Sequence, residues 1–153
     1  MNLVDRIVQF HHEIREIRRD IHAHPETRHE EERTAGIVAA RLAEWGIPVH
    51  RGLGGTGVVG SIRHGTSSRA IGLRADMDAL DMQEVTGLPW QSTRGGKHHA
   101  CGHDGHTAML LAAARHLAAT RQFDGIVHLV FQPAEEGQAC LLYISPSPRD
   151  RTR

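Results

Sequence analysis

The strongest constraint on the fold of this chain is the alternation of helix-type and strand-type hydrophobic patterns along its 153 residues. From Leu3 to Ile21, apolar residues recur every three or four positions, which is typical of one buried helix face. The same spacing over residues 30–45 predicts a second helix, and an Ala- and Leu-rich stretch over residues 105–120 predicts a third. Pro25 and Gly46 follow the first two patterns, and both residue types end helices.

Three other stretches are typical of strands. Aliphatic residues dominate residues 70–75 and 126–131, residues 57–63 form a short β-like run, and turn-forming residues border all three. We expect residues 70–75 to form a buried strand and the first two helices to cover the resulting sheet. The alternation predicts a layered α/β domain.

Composition excludes several classes of protein. The 18 Lys and Arg residues balance the 18 Asp and Glu residues, so the chain has no basic field to hold a nucleic acid. No apolar run approaches the roughly 18 residues of a membrane span, and the first residues lack the apolar segment of an export signal. Cys101 and Cys140 are too few for a disulfide framework, which favours a reduced, cytoplasmic protein. The 13 histidines favour a metal site, and we expect His22 and His24 to lie away from it.

The last residues differ in character from the rest. After Gly137 a short apolar run gives way to two Ser-Pro pairs and three arginines. We therefore expect residues 1–137 to belong to a folded domain and residues 138–153 to be a disordered tail.

A cysteine and a histidine lie close together in the loop before the third helix. Ligands of open α/β sheets bind in the loops at the strand ends. Because only Gly102 separates Cys101 from His103, both side chains can point to the same side and hold zinc or a similar divalent cation. Asp104 can then orient an imidazole or cap the helix. The competing interpretation is a histidine-rich surface loop that binds metal only adventitiously.

Two carboxylate pairs follow predicted strands. Glu135 and Glu136 point apart in an extended segment, so one can bind a metal while the other accepts a proton from water. Asp76 and Asp78 are two residues apart and would face the same way, one supporting a metal and the other a metal-bound histidine. A solvated acidic turn and a helix cap are the competing interpretations of these pairs.

Five segments in this order resemble a known enzyme family. They are IRRDIHAHPE (17–26), GTGVVGSI (55–62), GLRADMDALDMQE (72–84), HACGHDGHTAMLLAAA (99–114) and VFQPAEEG (130–137). Together they resemble the amidohydrolase branch of the aminoacylase and carboxypeptidase-like metallopeptidases, which includes hippurate hydrolases, N-acyl-amino-acid amidohydrolases and auxin-conjugate hydrolases. The resemblance implies an α/β/α catalytic domain with a dinuclear metal site.

The resemblance also implies roles for individual residues. At matching motif positions, Cys101 would bridge two divalent cations, commonly Mn²⁺, Zn²⁺ or Co²⁺, while His103 would bind one and Glu136 the other. Glu135 would be the general base, and Asp78 would orient the site. The implied reaction is hydrolysis of the amide bond of a small-molecule N-acyl amino acid, in which Glu135 takes a proton from water and passes it to the departing amine.

The chain departs from this family at three points. His98 stands where methionine is usual and Asp81 where proline is usual, and neither change removes an implied ligand. After Gly137 the family continues with two more histidine ligands and a lid or dimerisation domain, through which a full-length parent would form a homo-oligomer. We therefore expect this chain to be the N-terminal part of such an enzyme, produced by a truncated or misread gene model. The alternative is that this chain by itself binds metal without turnover.

Thiol catalysis is a further interpretation of the cysteine motif. Cys101 would be the nucleophile and His103 its base. A nucleophile and a base that lie two residues apart in one loop rarely bring their reactive atoms together. The sequence also shows no third group to orient them.

Overall fold

The computed structural model describes residues 3–137. The elements in chain order are α1 (Leu3–Ala23), α2 (Glu32–Glu44), β1 (Val49–Leu53), β2 (Gly57–His64), β3 (Ala70–Asp76), α3 (His103–Thr120) and β4 (Gly125–Gln132). The three predicted helices and the three predicted strands are confirmed, and β1 is an additional strand. The tail predicted for residues 138–153 lies outside the described residues.

The four strands form one mixed sheet in the order β1-β2-β4-β3. Strand β2 pairs antiparallel with β1 and with β4, whereas β3 runs parallel to β4. The parallel pairing puts Asp76 opposite Gln132, the last residues of β3 and β4. The loops that follow these two strands therefore leave the sheet side by side.

The core lies between the sheet and the helices. Alternate residues of β4, namely Val127, Leu129 and Phe131, are buried in the same apolar cluster as Leu42 of α2 and Leu111 of α3. Helix α2 packs on β1 and β2, as expected, but α1 packs chiefly against α3. Within residues 3–137, no helix is both long and apolar enough to cross a bilayer.

Strand β3 is less buried than its sequence suggests. Only its last two residues, Ala75 and Asp76, are buried, and Ile71 is 57% exposed. The expectation of a buried strand is wrong for the first part of β3, because it pairs with β4 on one side only and forms an edge of the described sheet.

Helix α3 begins two residues earlier than predicted, at His103. Its N-cap is Gly102, which has a left-handed φ of 84° that glycine adopts without steric cost. Asp104 is not the cap, since its carboxylate accepts a hydrogen bond from Arg18 and contacts His22 instead. Of the two roles considered for Asp104, the structure supports the orientation of an imidazole.

Candidate metal centre

Three side chains of types that can bind a metal meet near the end of the sheet where β3 and β4 finish. The ligand atoms of Cys101, His103 and Glu136 all lie within 4.8 Å of one another, and we call these residues the first cluster. His103 is buried, Glu136 is partly buried with 24% of its side chain exposed, and Cys101 is exposed. The burial of His103 argues against a surface loop that binds metal only adventitiously.

The imidazole of His103 is fixed by the segment that follows β3. Its Nδ1 lies 2.8 Å from the backbone oxygen of Asp78 and 3.2 Å from Oδ1 of the same residue. A proton on Nδ1 satisfies both acceptors, which leaves the lone pair of Nε2 for a cation. This Nε2 faces Oδ1 of Asp76 at 3.6 Å and Oε1 of Glu136 at 3.7 Å.

The two aspartates after β3 have different partners. Asp78 is almost fully buried, and besides His103 its carboxylate accepts the backbone N–H of Glu136 at 2.8 Å. Asp76 contacts Nδ1 of His106 at 2.6 Å and forms an ion pair with Arg74 at 3.0 Å. Asp78 therefore positions two members of the first cluster, whereas Asp76 lies at its edge.

The segment that carries Glu135 and Glu136 is anchored from α2. Glu31, immediately before α2, is completely buried, and its carboxylate accepts the backbone N–H of Ala134 at 2.8 Å and the hydroxyl of Thr56 at 2.6 Å. Ala134 has a left-handed φ of 54°, so the chain turns sharply just before the two glutamates. Glu135 is partly buried, and its backbone N–H also hydrogen-bonds the Asp78 carboxylate.

The electrostatics of the first cluster favour a cation. A hydrogen bond to Glu136, burial and nearby carboxylates raise the pKa of the Cys101 thiol to about 11. Burial alone would lower the pKa of His103, but its contacts with Asp78 and Asp76 outweigh burial and raise it. Burial would raise the pKa of Asp78, but hydrogen bonds from His103 and Glu136 lower it. Excess negative charge around a thiol and an imidazole is what one or more divalent cations would neutralise.

This donor set fits the metal centre that the motifs imply. Thiolate and imidazole suit zinc and cobalt, and the glutamate is a ligand that manganese also accepts. A cleft of about 310 Å³ opens beside Glu136, between residues 27–28 and 79–82, and offers space for a small ligand.

A second group of histidines and carboxylates lies near the end of α1. The ligand atoms of His22, Glu84 and His98, which we call the second cluster, also lie within 4.8 Å of one another. Hydrogen bonds from the Ser92 N–H, Thr86 and His22 outweigh burial and lower the pKa of Glu84 to about 2. His24 faces Asp20 instead, with a ring nitrogen 2.7 Å from the backbone oxygen of that residue.

Sequence reasoning missed several residues that organise this region. Glu31 and Glu84 follow no strand end, and their partners are distant in sequence, so no local spacing reveals them. The only indication of a role for Glu84 in the sequence is that it ends the motif GLRADMDALDMQE (72–84). His22 was expected to lie away from the site, yet it contacts Asp104, the neighbour of His103.

Comparison with known proteins finds similar hydrolases and one peptidase family. Residues 72–145 match the model of peptidase family M20/M25/M40. The chain is 50% identical over 137 residues to the hippurate hydrolase of Campylobacter jejuni, covering 90% of this chain and 36% of that protein. It is 48% identical over 122 residues to an IAA-amino acid hydrolase of Arabidopsis thaliana, covering 79% of this chain and 28% of that protein.

A solved structure shows the same fold. It is that of the Bacillus subtilis YXEP protein, a dinuclear metal-binding peptidase, which superposes with a TM-score of 0.80 at 40% identity. The match covers 84% of this chain and 36% of that one. The chain thus spans about a third of the length of the curated relatives it matches.

Proposed function

We propose that the chain is part of the catalytic domain of a metal-dependent amidohydrolase of peptidase family M20/M25/M40, whose model residues 72–145 match. The substrates would be small N-acyl amino acids, with hippurate-like compounds as the first to test. The names of the bacterial and plant relatives support this substrate class. The single observation that carries the proposal is the convergence of thiol, imidazole and carboxylate in the first cluster.

The residues of the first cluster would hold two divalent cations of the manganese, zinc or cobalt class. Cys101 would bridge them, His103 would bind one and Glu136 the other, with the remaining ligands supplied by the whole protein. When bound, such cations polarise an amide carbonyl and acidify water. Asp78 would keep the Nε2 lone pair of His103 directed into the site.

Glu135 would move the proton in this reaction. Its carboxylate accepts a proton from the attacking water, whose oxygen forms the new bond to the carbonyl carbon. As the carbon–nitrogen bond breaks, Glu135 passes this proton to the departing amine, which leaves a carboxylic acid and a free amino acid. Asp78 and Glu31 support this role because they fix the backbone on both sides of Glu135.

The thiol alternative is disfavoured by the environment of Cys101. Asp78 does provide the third group that orients His103, which the sequence did not show. A nucleophilic cysteine, however, needs a lowered pKa, and here the neighbouring carboxylates raise the thiol pKa to about 11. Because a ligand thiol must stay reduced, we also propose a cytoplasmic location. We further propose that the whole protein is a homo-oligomer, as the resemblance implies.

The test is hydrolysis of N-benzoylglycine by the whole protein loaded with Mn²⁺, Zn²⁺ or Co²⁺. Glu135→Gln should lower kcat about 10²- to 10⁴-fold while metal content stays unchanged. The matched control is Glu32→Gln, which alters an exposed glutamate on α2 and should leave kcat intact. No hydrolysis of any N-acyl amino acid with any of these metals would contradict the proposal, and an unaltered kcat in Glu135→Gln would remove Glu135 as the base.

A second candidate concerns the 153-residue chain by itself, which would bind metal without turnover. The observation in its favour is that the first cluster brings together three ligands within the described residues. Turnover by this chain above that of its own Glu135→Gln variant would contradict this candidate.

A further inference from the structure

The imidazole of His22 lies between two carboxylates. Its Nδ1 is 3.0 Å from Oδ2 of Asp104, and its Nε2 is 3.3 Å from Oε1 of Glu84. A neutral imidazole has one N–H, so it can donate to only one of these acceptors. The other nitrogen then turns a lone pair toward a carboxylate oxygen, and this arrangement requires a second proton or a cation between them.

His98 supplies a third donor at the same point. Its Nε2 lies 3.7 Å from the same oxygen of Glu84, and its ring meets that of His22 edge-on with the centroids 5.4 Å apart. Tetrahedral zinc with ligands at about 2.0–2.1 Å places neighbouring ligand atoms about 3.3–3.4 Å apart. The separations of 3.3 and 3.7 Å between the ligand atoms are therefore close to those of an assembled site.

We propose that the second cluster, His22, Glu84 and His98, binds one divalent cation of the zinc class, separately from the first cluster. Two imidazoles and one carboxylate form a complete protein ligand set for zinc, with the fourth position left to water. This inference does not rest on the proposed hydrolase activity.

The surroundings of the second cluster hold its ligands in place before any cation binds. Asp104 fixes the ring of His22 and is itself held by Arg18 at 3.0 Å, which gives a carboxylate–histidine pair of the kind that supports metal ligands. The Glu84 carboxylate accepts the N–H of Ser92 at 2.6 Å and the hydroxyl of Thr86.

The second cluster is also sheltered from solvent. The side chains of His22, Glu84 and His98 are only 11%, 1% and 15% exposed, so competition from water is limited. The neighbouring imidazole of His99 has its centroid 6.3 Å from that of His22. Within residues 3–137, both of its buried ring nitrogens lack a hydrogen-bond partner, so a further nitrogen donor is unused beside the cluster.

A cation here would connect three separate segments. It would join the end of α1 to the loop that carries Glu84 and to His98, which lies three residues before Cys101. Its role would be to fix the loop that presents the first cluster.

The test removes two ligands of the first cluster and counts the cations that the chain still binds. The Cys101→Ser/His103→Asn variant of the 153-residue chain is titrated with Zn²⁺ and then with Co²⁺, whose absorption reports nitrogen and oxygen ligands without a thiolate band. We expect one equivalent to bind. Adding His98→Met should weaken this binding at least about 100-fold, more than loss of an outer-shell partner does. Adding His24→Gln, which alters a histidine that faces Asp20, should leave it unchanged.

Nitrogen-15 NMR of the histidine side chains in the unaltered chain provides a readout that needs no substitution. Zinc should shift Nε2 of both His22 and His98 while Nδ1 of His22 keeps its proton. The proposal is overturned if the double variant binds no stoichiometric zinc, if His98→Met binds as tightly as its parent, or if His22 remains doubly protonated in the presence of zinc. The last result would identify an imidazolium between two carboxylates. Failure of hydrolase activity would leave all these readouts unaffected.

Discussion

The loop leading into α3 contributes to two histidine clusters that share one plan. In each, an aspartate contacts Nδ1 of a histidine and a glutamate faces its Nε2. The aspartate and glutamate distances are 3.2 and 3.7 Å around His103, and 3.0 and 3.3 Å around His22. Only the first cluster contains a sulfur, and only the first lies where β3 and β4 end together.

The two clusters differ in what holds their glutamates. The carboxylate of Glu84 is itself hydrogen-bonded by Ser92 and Thr86. Glu136 is instead held through its own backbone by Asp78, and through Ala134, two residues earlier, by Glu31. A glutamate fixed through its backbone leaves its carboxylate free to adjust to a cation. In the second cluster, hydrogen bonds fix the carboxylate itself.

The largest expected effect comes from removing the anchor of the first cluster. Glu31→Ala deletes a buried carboxylate that accepts two hydrogen bonds, each worth about 1.5–3 kcal/mol when the acceptor is charged. We expect the free energy of unfolding to fall by about 3 kcal/mol or more, measured by urea denaturation. The exposed neighbour provides the control, since Glu32→Ala should change stability by less than about 0.5 kcal/mol. Equal stability of the two variants would contradict the anchoring role.

A smaller effect is expected from the aspartate that supports the first cluster. Asp78→Asn keeps the shape of the side chain but weakens its hold on Nδ1 of His103 and on the N–H of Glu136. Cobalt affinity of the first cluster should fall about 10- to 100-fold, as for other outer-shell partners of metal ligands. The thiolate-to-cobalt absorption band measures this affinity separately from the second cluster. Asp81→Asn, at an exposed position three residues along, should leave the band and its midpoint unchanged.

Much of this architecture could be predicted from local sequence. Periodicity predicted α1 and α2, the Ala and Leu content of residues 105–120 predicted α3, and strand-like segments bordered by turn residues predicted β2, β3 and β4. Polar residues that follow two of the predicted strands lie close together, because β3 and β4 are parallel and end in register. Asp78, which follows β3, and Glu136, which follows β4, contact each other for this reason.

The remainder depends on contacts that leave no local pattern. Strand β1 was missed because four of its five residues are exposed, so it shows no alternation. Glu31 and Ala134 are 103 residues apart, and His22 and Glu84 are 62 apart. Only tertiary packing brings such pairs together. The same applies to Asp104, whose position suits a helix cap but whose carboxylate is taken by Arg18 and His22.

A last expected effect is an acid dependence of stability that belongs to the second cluster. The pKa of Glu84 is about 2 in the folded chain, below its ordinary value of 4.5. A carboxyl group with a lowered folded pKa stabilises the fold above pH 4.5, and this contribution is lost as the pH falls toward 2. In metal-free buffer, Glu84→Gln should therefore show a flatter decline of the urea midpoint over this range than the unaltered chain. Parallel declines would mean that the Glu84 carboxylate is not held by hydrogen bonds as described, and the contrast between the two clusters would fail.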